Sequence, residues 1–178
     1  ELKEEYFKWY SPKLSMDLEM LVFGHAGLPI IIFPTTLGSY FEAKDFLLID
    51  SVKWFIEQGK VKIYCPDGVN KFSWYNKEIP PAERVKNHMW YDECIREEIV
   101  EKVRHESPTG RIGVAGCSFG GYTAANFAFK YPDVVGYLIS MSGSFDIKGF
   151  LDGYYDDNVY FNNPVDYIGG LEDENLHR

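Results

Sequence analysis

The sequence predicts an α/β fold, a mostly parallel sheet flanked by helices, in a single domain over residues 1–178. Three observations carry this. Strand-like and helix-like segments alternate along the chain. Leu28-Pro29-Ile30-Ile31-Ile32-Phe33 is an unbroken apolar run of the kind buried on both faces of a parallel sheet. Ile112-Gly113-Val114-Ala115-Gly116, small and β-branched, runs through a Gly-rich turn into a helical pattern. The 178 residues suffice for one core and are short for two, and no repeat, low-complexity tract or Gly/Ser linker marks a boundary.

The elements follow in order. Residues 4–11 and 15–23 read as two early strands joined around Ser11-Pro12, an antiparallel start. The run from Leu28 is the third strand, and Pro34 ends it. From Glu42 to Gln58 the period becomes about 3.6, with Phe46, Ile49, Val52, Phe55 and Ile56 on one stripe and Gly59 as the stop. Val61 to Cys65 is the next strand. Pro80-Pro81 opens a long helix reaching about Glu106, with Val85, Met89, Ile95, Ile99 and Val103 inward. After the strand at Ile112 comes a helix from Tyr122 to Lys130, stopped before Pro132, and a last strand from Val134 to Met141. Beyond Ser144 the pattern fades, with a short aromatic helix around Tyr154–Phe161 and an acidic, unpatterned end after Gly169-Gly170.

Composition narrows the class. Hydrophobic residues at 46% and charged residues at 25% are those of a globular protein. The net charge of −9 leaves no basic stripe to meet nucleic-acid phosphates or anionic lipid. No apolar run approaches the roughly 20 residues of a membrane helix. The chain opens Glu-Leu-Lys-Glu-Glu without an initiator Met or a signal peptide. Cys65, Cys94 and Cys117 fit neither a disulfide framework nor a metal spacing, and each reads as a small buried hydrophobe. The expected compartment is the reducing cytoplasm.

The chemistry sits at Gly116-Cys117-Ser118-Phe119-Gly120-Gly121. A strand, a turn tight enough to need near-side-chain-free residues two before and two after a serine, and a helix make up a nucleophile elbow. Ser118 is the candidate nucleophile, raised to the carboxyl end of the sheet. The backbone N–H of Phe119, at the helix start, is a candidate oxyanion donor. Cys117 is expected to point into the sheet and to be unreactive. The alternative for the motif is a structural strand–helix turn.

Together with Phe33-Pro34-Thr35-Thr36-Leu37-Gly38, Cys65-Pro66-Asp67 and Ser73-Trp74-Tyr75-Asn76, this motif resembles the putative-esterase branch of the α/β-hydrolases, over most of residues 15–165. That group includes esterase D, feruloyl and acetylxylan esterases, and mycolyltransferases. The resemblance implies a second oxyanion donor in the loop after the third strand, where the Thr36 N–H is the candidate. Trp74 and Tyr75 are candidates for a pocket wall, beside the alternative of a packed surface loop. The implied function is a serine carboxylesterase working through an acyl-enzyme on a small or aromatic acyl ester, with no metal or organic cofactor. A homo-oligomer is expected from an incomplete sheet. An acyltransferase would use the same residues with an alcohol replacing water, and a non-catalytic binding domain is the reading from another class.

Ser118 needs a base, and this fold orders Ser, then acid, then His. His25, His88 and His105 precede Ser118; His25 reads as a solvated turn residue and the other two as partly exposed on the long helix. His177 is penultimate, with no strand before it. Asp146, Asp152, Asp156, Asp157 and Asp166 read as surface or cap residues. The expectation is a domain incomplete at its C-terminal end, with the acid and the base outside the chain and little activity from residues 1–178 alone.

Overall fold

The computed structural model describes residues 1–172; His177 lies outside the described residues. Six strands form one sheet in the order β1-β2-β4-β3-β5-β6. β1 (Glu4–Ser11) and β2 (Met16–Phe23) are an antiparallel hairpin in which Phe7 faces Met20 and Trp9 faces Leu18. β2 pairs antiparallel with β4 (Val61–Pro66). β3 (Leu28–Phe33) lies parallel between β4 and β5 (Ile112–Cys117), and β5 pairs in parallel with β6 (Val135–Met141). The mixed sheet and the early antiparallel pair are those the sequence predicts.

Both faces of β3 are covered, which is why its sequence does not alternate in polarity. Ile31 and Phe33 join Met20, Val22 and Tyr64 beneath the long helix and the helix after β5. Ile30 and Ile32 pack toward the opposite layer, where Leu21, Phe23 and Ile63 meet Ile49 and Ile56. Each fully buried Ile of this kind contributes on the order of 1.5–3 kcal/mol.

The helices depart from the sequence pattern in two places. The segment expected as one helix from Glu42 is two, α1 (Glu42–Asp45) and α2 (Leu48–Glu57), because Leu47 turns left-handed at φ 63°. Only Ile49 and Ile56 of the expected stripe are buried, while Phe46 is 74% exposed. The long helix starts at Pro81 as α3 (Pro81–Cys94) and widens to a π-helix over Ile95–Val100. It then closes as α4 (Glu101–Val103) and a 3₁₀ turn over Arg104–Glu106. α5 (Phe119–Lys130) begins three residues earlier than its apolar periodicity suggests. The aromatic tail forms two short helices, α6 (Asp157–Tyr160), capped by the Asp156 carboxylate on the Val159 N–H, and α7 (Pro164–Tyr167).

β6 has no partner on its outer edge among the described residues. Tyr137, Leu138, Ile139 and Met141 are exposed along it. An apolar hollow of about 280 Å³ lies on the Ile139–Met141 face against Leu48, Val52 and Phe55. Another of about 260 Å³ lies on the Leu138 face against Phe129, Phe145 and Val165.

Candidate active site

The turn after β5 has the geometry that its sequence demands. Ser118 stands at φ 57°, ψ −122°, a conformation costly for any residue with a Cβ and kept only where the surroundings enforce it. They do so from three sides. The Ser118 N–H donates to the Met141 carbonyl at 2.8 Å, and the Ser118 carbonyl accepts from the Gly121 N–H at 2.9 Å. A Cβ on Gly116 would lie 2.0 Å from the Gly120 carbonyl oxygen, and one on Gly120 would lie 2.6 Å from that of Phe33. The serine side chain is exposed at the strand end.

The close approach of Gly120 brings the start of α5 against the exit of β3. A Cβ on Gly120 would also be 2.7 Å from the Pro34 carbonyl oxygen. Thr36 is therefore only two residues from a contact with α5. The N–H groups of Phe119 and Thr36 donate to no acceptor among the described residues. For Phe119 this follows from its place in the first turn of a helix, where N–H groups have no intrahelical partner. For Thr36 it follows from the loop. The Thr35 N–H donates to Glu42 Oε2 at 2.7 Å and its hydroxyl donates to the same carboxylate, while the Gly38 N–H returns to the Thr35 carbonyl at 3.0 Å. Leu37 is left-handed at φ 55°.

The two pocket-wall candidates separate. Trp74 is fully buried, 5.1 Å from the His88 ring and 6.2 Å from Tyr122, so it belongs to the core behind the site. The helix α3 covers a loop that the sequence leaves looking exposed. Tyr75 is half-buried, with its hydroxyl 3.1 Å from Thr36 Oγ1 and its ring 5.6 Å from Phe119 and 5.0 Å from Phe150. Buried Arg84 braces this side. It donates to the carbonyls of Asn76 at 2.7 Å and Phe150 at 2.8 Å, and to Asp152 at 2.9 Å. Sequence reasoning missed Glu42, Arg84 and Phe150. Glu42 and Arg84 resemble ordinary surface charges of helical first turns, and Phe150 lies where periodicity has faded.

Two further expectations are corrected. Cys117 is exposed, because the last residue of β5 projects beyond the covering layers; Cys65 and Cys94 are buried as expected. His88 is 1% exposed, not partly solvated, because α3 turns that face onto α5. There its Nε2 lies 3.2 Å from Asp92 Oδ2, which also accepts from Lys130 Nζ at 2.6 Å. Lys130 and Asn126 both donate to Asn162 Oδ1, and Tyr167 donates to Asn126. Burial alone would raise the Asp92 carboxyl, but the charges and hydrogen bonds of His88 and Lys130 outweigh it and hold it at about 2. This cluster ties α3 and α5 to the segment after α6.

No histidine nitrogen lies within hydrogen-bond reach of Ser118 Oγ among the described residues: His25 is exposed in its turn, His105 is exposed, and His88 serves Asp92. Among the same residues no cluster of His, Cys, Asp and Glu could hold a metal ion, and no helix is long and apolar enough to cross a membrane.

A six-stranded mixed sheet with a strained serine between β5 and α5 defines an α/β-hydrolase fold. The family model described as "Putative esterase" matches residues 53–164, and the chain belongs to that family. A ferulic acid esterase structure aligns with 99% of this chain and 75% of its own at TM-score 0.71 and 14% identity. The S-formylglutathione hydrolase of Staphylococcus aureus aligns with 95% of this chain and 70% of its own at TM-score 0.67 and 14% identity. A 1-acylglycerol-3-phosphate O-acyltransferase of Saccharomyces cerevisiae is 38% identical over 63 residues, which are 35% of this chain and 16% of that protein.

Proposed function

We propose that this chain carries the nucleophile and oxyanion hole of a serine carboxylesterase. The observation that supports this best is the strained backbone of Ser118 beside two N–H groups without acceptors among the described residues. Ser118 Oγ bonds to the ester carbonyl carbon, and its proton passes to a base outside the described residues. The Phe119 and Thr36 N–H groups hold the negative oxygen of the tetrahedral intermediate. The bond to the alcohol oxygen breaks as that oxygen takes the proton, leaving an acyl-enzyme. Water then adds to the acyl carbon, the acid departs and the serine hydroxyl is restored. Tyr75, Phe119 and Phe150 give this site an aromatic side, suited to a small or aromatic acyl group.

Ser118→Ala in the full-length protein tests this. Hydrolysis of p-nitrophenyl acetate and labelling by a fluorophosphonate probe should both vanish while the circular dichroism stays unchanged. Retained labelling would remove Ser118 from the role. The similarity to the yeast acyltransferase favours a second reading, in which an alcohol takes the acyl group from Ser118. Product analysis with competing alcohol acceptors decides between the two.

A further inference from the structure

A cavity of about 460 Å³ has neither Ser118 nor its neighbours in its lining. It lies against β1, β2 and β4, with β3 between it and β5. Its floor is the inward face of β1 and β2, chiefly Phe7, Trp9 and Met20, continued by Tyr64. Its wall is the π-helix and α4, through Glu98, Ile99, Lys102 and Val103. The volume falls within the range of small-molecule sites, about 300–1,000 Å³.

Its acidic groups are already engaged. The widened π turn brings Glu98 to the floor, where it accepts from Trp9 Nε1 at 2.9 Å and Ser11 Oγ at 2.7 Å. Glu106 accepts from the Tyr64 hydroxyl at 2.5 Å and lies 3.3 Å from Lys62 Nζ. Glu5 pairs with Lys3 at 2.6 Å. Burial and the Glu106 carboxylate push the Tyr64 phenol well up, as a poorly hydrated inner end requires. Lys102 differs. Its ammonium stands over the Phe7 ring at 5.2 Å from the centroid, and it has no salt-bridge partner among the described residues. The cleft thus offers an aromatic and aliphatic interior, hydrogen-bonded or paired carboxylates and, at its mouth, a cation with no salt bridge among the described residues.

We propose that this cleft binds a small amphiphilic monocarboxylate, with its apolar body between Phe7 and Ile99 and its carboxylate on Lys102. A neutral ligand would leave the cation unused, and a cationic one would meet it in repulsion. The site is separate from Ser118 and does not depend on the esterase reading.

The test titrates decanoate into the full-length Ser118→Ala protein by calorimetry, with decyltrimethylammonium as the same-length cation. The Trp indole N–H signals are followed by ¹H–¹⁵N NMR. Saturable one-to-one binding of decanoate is expected, with the Trp9 signal moving and that of Trp54, on α2 and outside the cavity lining, staying in place. Lys102→Met keeps the aliphatic stem on Phe7 and removes the charge, and it should weaken decanoate at least about tenfold. Absence of saturable binding would overturn the proposal. So would equal affinity for the cation, an unchanged affinity in Lys102→Met, or a response confined to Trp54.

Discussion

A 3.1 Å hydrogen bond joins the Tyr75 hydroxyl to Thr36 Oγ1, tying the loop after β4 to the loop after β3. The Glu42 carboxylate holds the preceding residue, Thr35, so Thr36 is restrained through its own side chain and through its neighbour. The N–H, not the side chain, is the group proposed to act. Thr36→Ala in the full-length protein should therefore cost only a few-fold in kcat/KM. Thr36→Pro removes the donor and should cost about 10²–10³-fold. Equal losses in a p-nitrophenyl acetate assay would take Thr36 out of the oxyanion hole.

Gly120→Val should be destabilising as well as inactivating. Its Cβ would sit within 2.7 Å of two backbone carbonyl oxygens, that of Phe33 in the paired strand β3 and that of Pro34 just after it. The expected loss is at least about 3 kcal/mol in urea unfolding. A midpoint equal to wild type would mean that the turn is looser than described.

The Asp92 cluster predicts a particular acid limb. The carboxyl is held at about 2, below its ordinary value of 3.8, so its stabilisation is full above about pH 4 and fades as pH falls toward 2. The amount is on the order of 2 kcal/mol. Lys130→Met removes one of the two opposing charges, raises the folded pKa and should bring the onset of acid loss to higher pH. Asp92→Asn should flatten the limb. Matching acid profiles in wild type and both variants would contradict this assignment.

The outer edge of β6 predicts self-association of protein comprising residues 1–178. Backbone groups unpaired among the described residues and flanked by apolar hollows on both faces template strand pairing. Sedimentation should give a species larger than 20.6 kDa, shifting toward the monomer in Ile139→Lys. A monomeric wild type at high concentration would refute this.

The same protein, residues 1–178, should turn over p-nitrophenyl acetate on the order of 10⁴-fold more slowly than an esterase with a complete triad. No described histidine reaches Ser118. His177→Ala should leave the residual rate unchanged. A normal rate abolished by that substitution would identify His177 as the base.

What the sequence discloses here is what local pattern encodes. The β3 run, the Pro-Pro helix start and the two glycines flanking Ser118 carry their reasons within a few residues, and the structure has them where they were read. Burial that depends on distant partners is not written locally. Trp74 and His88 are placed by the packing of α3 on α5, Cys117 by the absence of a covering layer at the end of β5, and the α1–α2 break by one left-handed Leu47. The π-helix likewise reads as ordinary helix, since its residues have no distinctive composition. For the same reason Thr36 could be nominated from its loop, whereas its supports, Glu42 and Tyr75, became visible only in three dimensions.

The interleaving of β3 between β4 and β5 has a consequence during synthesis. β3 leaves the ribosome after β2 and ahead of β4, its partner on one edge, so that edge can pair early. Its other edge waits for β5, which begins only at Ile112. At roughly 5–20 residues per second the wait is several seconds, during which Leu28–Phe33 presents an apolar strand with one open side. A nascent chain stalled between Pro66 and Ile112 should therefore be the form that chaperones capture.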